Sequence, residues 1–242
     1  MEVHHHTHHP KKWKEYFWEF FMLFLAVFCG SLAELQLEHY IEHKREQKFI
    51  NQLVLDIDSD EKNLRSYIEQ QTIRSNRIDS LFNMMERKAF KEYNDEIYFL
   101  ARVLSRYGNY VPTDGTIAQL KFGGNLRLIK NNAIVANILD YDNNSKVLVQ
   151  FIATSFQDVL NYRVASEKLF DAASFYKMTD PSNEILRIKN CPPVKVDNKE
   201  DVNVFLMRLQ FMKGANSRYI SLANQLLTKK KALKSLIDEH YH

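Results

Sequence analysis

The first long pattern in the chain is an apolar run near its N-terminus. Residues 16–33 read YFWEFFMLFLAVFCGSLA, with Glu19 as the single charged residue. A helix needs about 20 residues to cross the hydrocarbon core of a bilayer, so we assign residues 16–37, which place Glu19 and Glu34 near the two ends. The run predicts a transmembrane anchor whose apolar side chains face lipid: Trp18, Phe20, Phe21, Leu23, Phe24, Leu25, Val27 and Phe28.

Other interpretations of the run remain open. A cleaved signal peptide has a similar basic start and apolar middle, although no A-x-A cleavage site follows this run. A lipoprotein signal needs a small residue before its cysteine, and Phe28 precedes Cys29 here. An amphipathic helix, buried in a soluble protein or lying in the membrane interface, needs a polar face, which the phenylalanines between residues 17 and 28 do not leave.

The charges on either side of the run predict its orientation. Lys11, Lys12 and Lys14 lie directly at its N-terminal edge, whereas Lys44 and Arg45 begin about ten residues beyond the other edge among glutamates. Positive residues close to the membrane favour the cytoplasmic side, and acidic residues count little. We therefore expect a single-pass inner-membrane protein with a cytoplasmic N-terminus and a periplasmic C-terminal part.

The next segment carries a helical stripe. Neither glycine nor proline occurs between Gly30 and Gly108, so the helix of the anchor is expected to continue outward as a stalk and first long helix. Asp60 and Glu61 interrupt the stripe, which argues against a long unbroken coiled coil. The stripe consists of Ile50, Ile57, Leu64, Ile78 and Met85, with the polar residue Gln71 in its one gap. These apolar side chains must be buried, either by later helices of the chain or by a second copy of it.

Beyond residue 106 the chain bends and returns to helical patterns. The bend is predicted where glycines and Pro112 cluster between residues 108 and 124. Asp114 is placed to cap a short helix that begins with the residues TIAQL, and Gly123 and Gly124 stop that helix. The remaining helices are expected over residues 97–106, 145–178 and 199–240, with a break in the last at Gly214.

The expected fold class is all-α: an N-terminal transmembrane helix continuing into a stalk, then a bundle-like domain with one short extended or loop segment. That segment is residues 184–196, which contain two adjacent prolines. The predicted divisions are a His- and Lys-rich tail (1–15), the anchor (16–37), the stalk and first long helix (38–107) and the remaining helical domain (108–242).

Composition supports this architecture. Only 6 glycines and 5 prolines occur among 242 residues, too few turn-forming residues for a β-sandwich, a barrel or a Rossmann fold. Charged residues make up 26% with a net charge of +3 and mixed signs, which excludes a disordered tail and argues against a nucleic-acid partner. The two cysteines provide no disulfide framework.

A family resemblance rests on the opening of the chain. The segments HHHTHHPKKWKEYFWEFFMLFLAVFCGSLAE and LEHYIEHKREQKFI, and more weakly PTDGTIAQLKFGGNLRLIKNNAIVANILDYDN, resemble a family of Bacteroidota single-span membrane proteins of unknown function. The resemblance covers about a third of the chain. It implies a small membrane-anchored protein and supplies no catalytic residues to assign.

One motif has the residue types of a metal site. His39, Glu42 and His43 match H-x-x-E-H, in which two histidines one helical turn apart share zinc and the glutamate acts as general base. No further carboxylate ligand follows at a suitable spacing, so we favour a polar helix face next to the membrane. The histidines of residues 4–9 are interpreted as a native flexible tail, and residues 140–144, DYDNN, as a helix cap and turn.

The functional expectation is a non-catalytic interaction, sensing or scaffold module at the cell envelope, without a cofactor. Its expected partners are the lipid bilayer and either a second copy of the chain, forming a homo-oligomer, or another envelope protein. A structural subunit of a larger envelope complex is the alternative, because it shares every one of these sequence features. A zinc-dependent hydrolase built on the H-x-x-E-H motif is the least favoured interpretation.

Overall fold

The computed structural model describes residues 12–241, and within this range the protein is all-α. The helices are α1 (Trp13–Glu86), α2 (Phe90–Leu104), α3 (Gly115–Phe122), a 3₁₀ helix (Asn125–Leu128), α4 (Asn132–Leu169), α5 (Ala172–Lys177) and α6 (Lys199–Tyr241). The described residues include no β-strand, only an isolated antiparallel bridge between Thr179 and Ile185. The expected fold class is therefore confirmed.

The contacts of the chain divide it into two units, with the boundary between Asn51 and Gln52. Apart from Lys12, the described part of the first unit consists of α1. The second unit contains the last part of α1 and all the other helices. The predicted continuity of the first helix is confirmed, since α1 is unbroken to Glu86, and Lys88 then turns the chain with a φ of 57°.

The second unit buries the heptad stripe of α1, and a large hydrophobic cluster surrounds the C-terminal end of that helix. Ile57, Leu64, Ile78 and Met85 of α1 are at most 2% exposed, so the heptad stripe is covered within one copy of the chain. Helices α4 and α6 pack along each other. Around the C-terminal end of α1 the core is rich in aromatic rings, with ring pairs 5.0–5.6 Å apart: Tyr98 with Phe170, Tyr162 with Phe205, and Phe170 with Phe205.

The bend predicted between residues 108 and 124 is present, but its first helix is capped differently from the expectation. The Asp114 side chain makes no capping hydrogen bond to α3. Instead, the carboxylate of Asp56 on α1 accepts a 2.9 Å hydrogen bond from the backbone N–H of Thr116. A cap from a distant helix satisfies the same amide and also fixes α3 against α1.

Both glycines at the end of α3 are required by geometry. A Cβ on Gly123 would lie 2.6 Å from the carbonyl oxygen of Gln119, and Gly124 has a φ of 66°. The helix stop predicted there is confirmed. The 3₁₀ helix (Asn125–Leu128) follows directly.

The boundaries of α4 differ from the prediction at both ends. The helix begins at Asn132, capped by the side chain of Asn131, which accepts from the amides of Ala133 and Ile134. The segment 140–144 therefore lies inside the helix, and the predicted cap and turn there is wrong. Residues after 169 do not continue α4, because Asp171 caps the separate helix α5 through the amide of Ser174 at 2.8 Å.

Two further boundaries also differ. Helix α6 is a single helix, without the break predicted at Gly214. Buried residues on both sides of Gly214, Met212 and Asn216 among them, hold the helix in register, and tertiary packing outweighs the local cost of the glycine. Helix α2 begins at Phe90, earlier than the expected residue 97, and its first turn is distorted at Tyr93.

The extended segment 184–196 is confirmed, and side chains of α2 satisfy its backbone. Asn94 donates to the carbonyl oxygens of Cys191 and Pro192, at 2.9 and 3.1 Å, and accepts from the amide of Val194 at 3.1 Å. Asp95 accepts from the amides of Asn190 and Cys191, at 3.0 and 2.8 Å. These contacts replace the hydrogen bonds that a helix or a sheet would supply.

The covered stripe gives the first prediction. Ile57→Asp places a charge at a position with no exposed surface, whereas Leu55→Asp places it at a side chain that is 63% exposed on the same helix. We expect Ile57→Asp to lower the free energy of unfolding by about 3–5 kcal/mol and Leu55→Asp by less than about 1 kcal/mol. Thermal unfolding of the detergent-purified chain, followed by circular dichroism at 222 nm, measures both.

The same experiment tests the oligomeric alternative. If the stripe were a seam between copies, Ile57→Asp would dissociate an oligomer in sedimentation while leaving its helicity largely intact. A variant as stable as the wild type and unchanged in mass would contradict the observed core.

Candidate functional site

The apolar part of α1 at its N-terminal end forms a long exposed surface. Every residue from 12 to 41 is exposed, including all eight of the predicted lipid-facing side chains. Phenylalanine rings stack along this surface at four-residue spacing: Phe17 with Phe21 at 6.2 Å, Phe20 with Phe24 at 6.5 Å and Phe24 with Phe28 at 5.8 Å. Among the described residues, α1 is the one helix long and apolar enough to cross a membrane.

The exposure of this surface distinguishes it from a core helix. A helix that is apolar on all sides is stable only inside a large protein or in a membrane. Other parts of the described chain cover none of the apolar segment of α1. Its physical chemistry therefore fits contact with lipid or with another protein.

The H-x-x-E-H motif lies on α1, after the apolar run, and neighbouring side chains contact one of its two histidines. The two ring nitrogens of His43 contact side chains of their own helix: Nδ1 lies 3.4 Å from Glu46 Oε2, and Nε2 lies 3.1 Å from Gln47 Nε2. His39 is exposed and Glu42 is half-buried.

No second set of ligands joins the motif. Within residues 12–241, no group of three or more His, Cys, Asp or Glu side chains is placed to hold a metal ion. The histidine-rich tail, residues 4–9, lies outside the described residues.

The best-connected polar site in the second unit surrounds Asp60, a residue that interrupts the heptad stripe. Asp60 has no exposed surface. Tyr110 Oη donates to both of its carboxylate oxygens at 2.7 Å, Tyr141 Oη donates to Oδ2, and the amide of Thr113 donates to Oδ1 at 3.2 Å. Burial raises the pKa of Asp60, and these donors oppose the increase.

A cluster of opposite charges joins α1 to α6. The side chain of Lys230 is 4% exposed, and its Nζ lies 2.7 Å from Asp58 Oδ1 and 2.5 Å from Glu61 Oε2. Lys234 also contacts Asp58, at 2.7 Å. Hydrogen bonds from Lys230 and Arg65 lower the pKa of Glu61 to about 2.

Sequence reasoning missed both clusters. Its one signal was Asp60–Glu61 inside an apolar seam, which was interpreted only as an interruption of a coiled coil. A charged residue at a core position predicts a buried partner, but the partners Tyr110, Tyr141 and Lys230 are 50 to 169 residues away, and local spacing cannot identify them. Within each cluster the acidic side chains are paired with the donors or the lysines described above, so the two clusters hold the helices together.

The two cysteines lie in different surroundings. Cys29 is exposed on the apolar part of α1, and Cys191 is buried. Burial raises the pKa of the Cys191 thiol to about 11, so it is protonated and unreactive at neutral pH.

Comparison of the chain with known protein families, curated proteins and solved structures gives no match. The resemblance of the opening segment to Bacteroidota single-span membrane proteins therefore stays a prediction. Functional inference rests on the surfaces described above.

The Lys230 cluster predicts a specific response to acid. Since the pKa of Glu61 is lowered from 4.5 to about 2 in the folded chain, its contribution to stability is present above about pH 4.5 and is lost as the pH falls towards 2. Lys230→Met removes the main cause of this shift. We expect the variant to lose about 1–3 kcal/mol at pH 7 and to show a shallower further loss in acid.

Urea unfolding between about pH 2.5 and 7, followed by circular dichroism, measures this difference. Lys231→Met is the matched control, because the neighbouring Lys231 is exposed. An acid dependence in Lys230→Met as steep as that of the wild type would contradict the assignment.

Proposed function

We propose that the protein is a membrane-anchored helical module that acts by interaction, sensing or scaffolding at the cell envelope and has no catalytic role. The observation that carries this proposal is the exposed apolar surface of α1 between residues 16 and 37. Leaving so many aromatic and aliphatic side chains in water is unfavourable, at about 25 cal/mol for each Å² of apolar surface. Lipid removes that cost.

The proposed location is the inner membrane, with the N-terminus in the cytoplasm and the C-terminal helices in the periplasm. Lys11, Lys12 and Lys14 support this orientation, since basic residues next to a span are retained on the cytoplasmic side. The aromatic residues Trp13 and Tyr16 at the same end suit the headgroup region.

A structural subunit of a larger envelope complex is the second candidate. Its supporting observation is Gly30, where a Cβ would meet nothing within 4 Å, next to the small residue Ser31. Small residues let a neighbouring transmembrane helix approach closely. A stable partner or a second copy that remains bound through detergent purification would favour this role over a solitary module.

The anchor predicts membrane retention that depends on the centre of the apolar run. We expect the protein to stay in the membrane fraction after a carbonate wash. Leu25→Arg costs about 2.5–3.5 kcal/mol of insertion free energy, so its membrane-retained fraction should fall clearly. Leu55→Arg is the control, because it makes the same change at an exposed residue of α1 outside the apolar run.

Wild-type protein released by carbonate would contradict the anchor and indicate a peripheral helix. A mature chain shortened at its N-terminus, detected by intact-mass spectrometry, would instead identify a cleaved signal peptide.

The orientation predicts the behaviour of a C-terminal alkaline phosphatase fusion expressed in a two-membrane bacterium. This reporter needs disulfides, which persist in the periplasm, so the fusion should be active. Replacing Lys11, Lys12 and Lys14 by glutamine should lower the activity at equal expression. An inactive wild-type fusion would place the C-terminal helices in the cytoplasm.

A further inference from the structure

A cavity of about 310 Å³ opens beside the C-terminal end of α2, within the second unit. Its lining includes polar residues, with Arg102 and Ser105 from the end of α2 and Arg163 and Ser166 from α4. It also includes the apolar residues Phe170, Ala172 and Phe175. The volume lies at the lower end of the roughly 300–1,000 Å³ range of small-molecule sites.

Most of the arginines near this end of α2 have a structural explanation. Arg74 donates to the carbonyl oxygens of Leu104 and Arg106, at 2.9 and 2.8 Å. Arg163 donates to the carbonyl oxygen of Ser105 through Nε and Nη2, at 2.9 and 2.8 Å. These guanidinium groups satisfy the last carbonyls of the helix and match the negative end of its dipole.

Arg102 has no such explanation. Its guanidinium donates only to two neutral hydroxyls, those of Ser105 and Thr179, each at 3.1 Å, and its Nε is buried without an acceptor. Burial lowers its pKa, and the neighbouring charges of Arg106 and Arg163 lower it further. Arg102 is therefore held in a site where positive charge is unfavourable.

Among the described residues, no carboxylate forms an ion pair with Arg102, Arg106 or Arg163. Within residues 12–241, the arginines that form ion pairs are Arg65 with Glu61 and Arg187 with Glu96, and both pairs lie elsewhere. Glu167 lines the same cavity but forms no ion pair with either lining arginine. Two guanidinium groups against a single carboxylate leave the cavity walls with a net positive charge.

Both lining arginines retain donors for a ligand. In Arg102, Nη1 and Nη2 each carry a second hydrogen beyond the bonds to Ser105 and Thr179, and in Arg163 the whole of Nη1 is outside its bonds to Ser105. Guanidinium hydrogens match the oxygens of a carboxylate in spacing and charge.

The apolar wall restricts the class of anion. Phe170 and Phe175 stack with their ring centroids 5.3 Å apart, and the Arg102 guanidinium lies 5.7 Å from the centroid of the Phe175 ring. An inorganic ion has no apolar surface to bury against these rings. A ligand with an apolar body would bury it there while its charged end meets the arginines.

From this arrangement we infer that the cavity binds a small organic carboxylate with an apolar body. Arg102 and Arg163 bind its carboxylate group, and Phe170 and Phe175 pack against its apolar body. The inference goes beyond the proposed membrane module and does not depend on the anchor. A result that contradicts the membrane anchor therefore does not affect the proposed ligand site, and the reverse also holds.

The experiment is isothermal titration of the full-length protein in detergent with sodium phenylacetate as the probe. We expect a Kd of about 1 mM or tighter. Acetate, which lacks the ring, and 2-phenylethanol, which lacks the charge, should each bind at least about tenfold more weakly. Inorganic phosphate tests for a simple anion site.

Two variants test the walls separately. Arg102→Gln removes the charge and should weaken phenylacetate binding at least about tenfold, with Arg187→Gln as a control arginine away from the cavity. Ala172→Leu fills part of the cavity without changing any charge and should weaken binding by a similar factor. Ala173→Leu, at the next exposed residue of α5, should bind like the wild type.

The Ala172→Leu and Ala173→Leu pair keeps the test valid if Arg102→Gln fails to fold. Absence of phenylacetate binding to the folded wild type would overturn the inference, as would equal binding by Ala172→Leu. Equal affinity for 2-phenylethanol would show that the arginines take no part. Phosphate binding more tightly than phenylacetate, and lost in Arg102→Gln, would replace the carboxylate with a phosphate ligand.

Discussion

The carboxylate of Asp60 imposes the constraint on which the helical domain depends. A carboxylate with no exposed surface costs several kcal/mol in lost hydration unless donors replace the water. The acid lies on α1, and its donors come from two later segments: the connector after α2 supplies Tyr110 and Thr113, and α4 supplies Tyr141. In the observed arrangement these donors replace the lost water, so Asp60 favours the register that brings the segments together.

A second carboxylate, that of Asp56 one helical turn before Asp60, positions another segment in the same way. Asp56 receives the amide of Thr116 and thereby fixes the start of α3 against α1. On the α6 side, Lys230 binds Asp58 and Glu61. Acids at residues 56–61 thus position four later parts of the chain, namely the connector after α2, α3, α4 and α6, whereas the apolar residues of α1 supply non-directional burial. The core provides stability, and the polar contacts define how the helices fit.

The sequence predicts the elements whose signal is local, and it fails where tertiary contacts decide. Heptad residues such as Ile57 and the stop at Gly123–Gly124 were predictable, because periodicity and backbone sterics act within a few residues. Residues 140–144 have turn-forming composition, yet they form helix because Tyr141 and Asp142 are buried with Asp60 and Lys121 as partners. The cavity at Arg102 was not predictable, since α2, α4 and α5 each supply part of its wall.

The chain uses apolar residues in two different ways, and burial separates them. Around Ile57 and Tyr162 apolar side chains are covered by the rest of the same chain, and the hydrophobic effect is satisfied internally. Around Phe20 and Leu25 none of the described chain covers them, although the composition is at least as apolar. Periodicity explains the contrast: the first set recurs on one helical stripe with polar residues opposite, whereas the second surrounds the helix. A stripe can be covered by neighbouring helices of the same bundle, but a helix that is apolar on all sides needs apolar surroundings on all sides, of the kind that a bilayer provides.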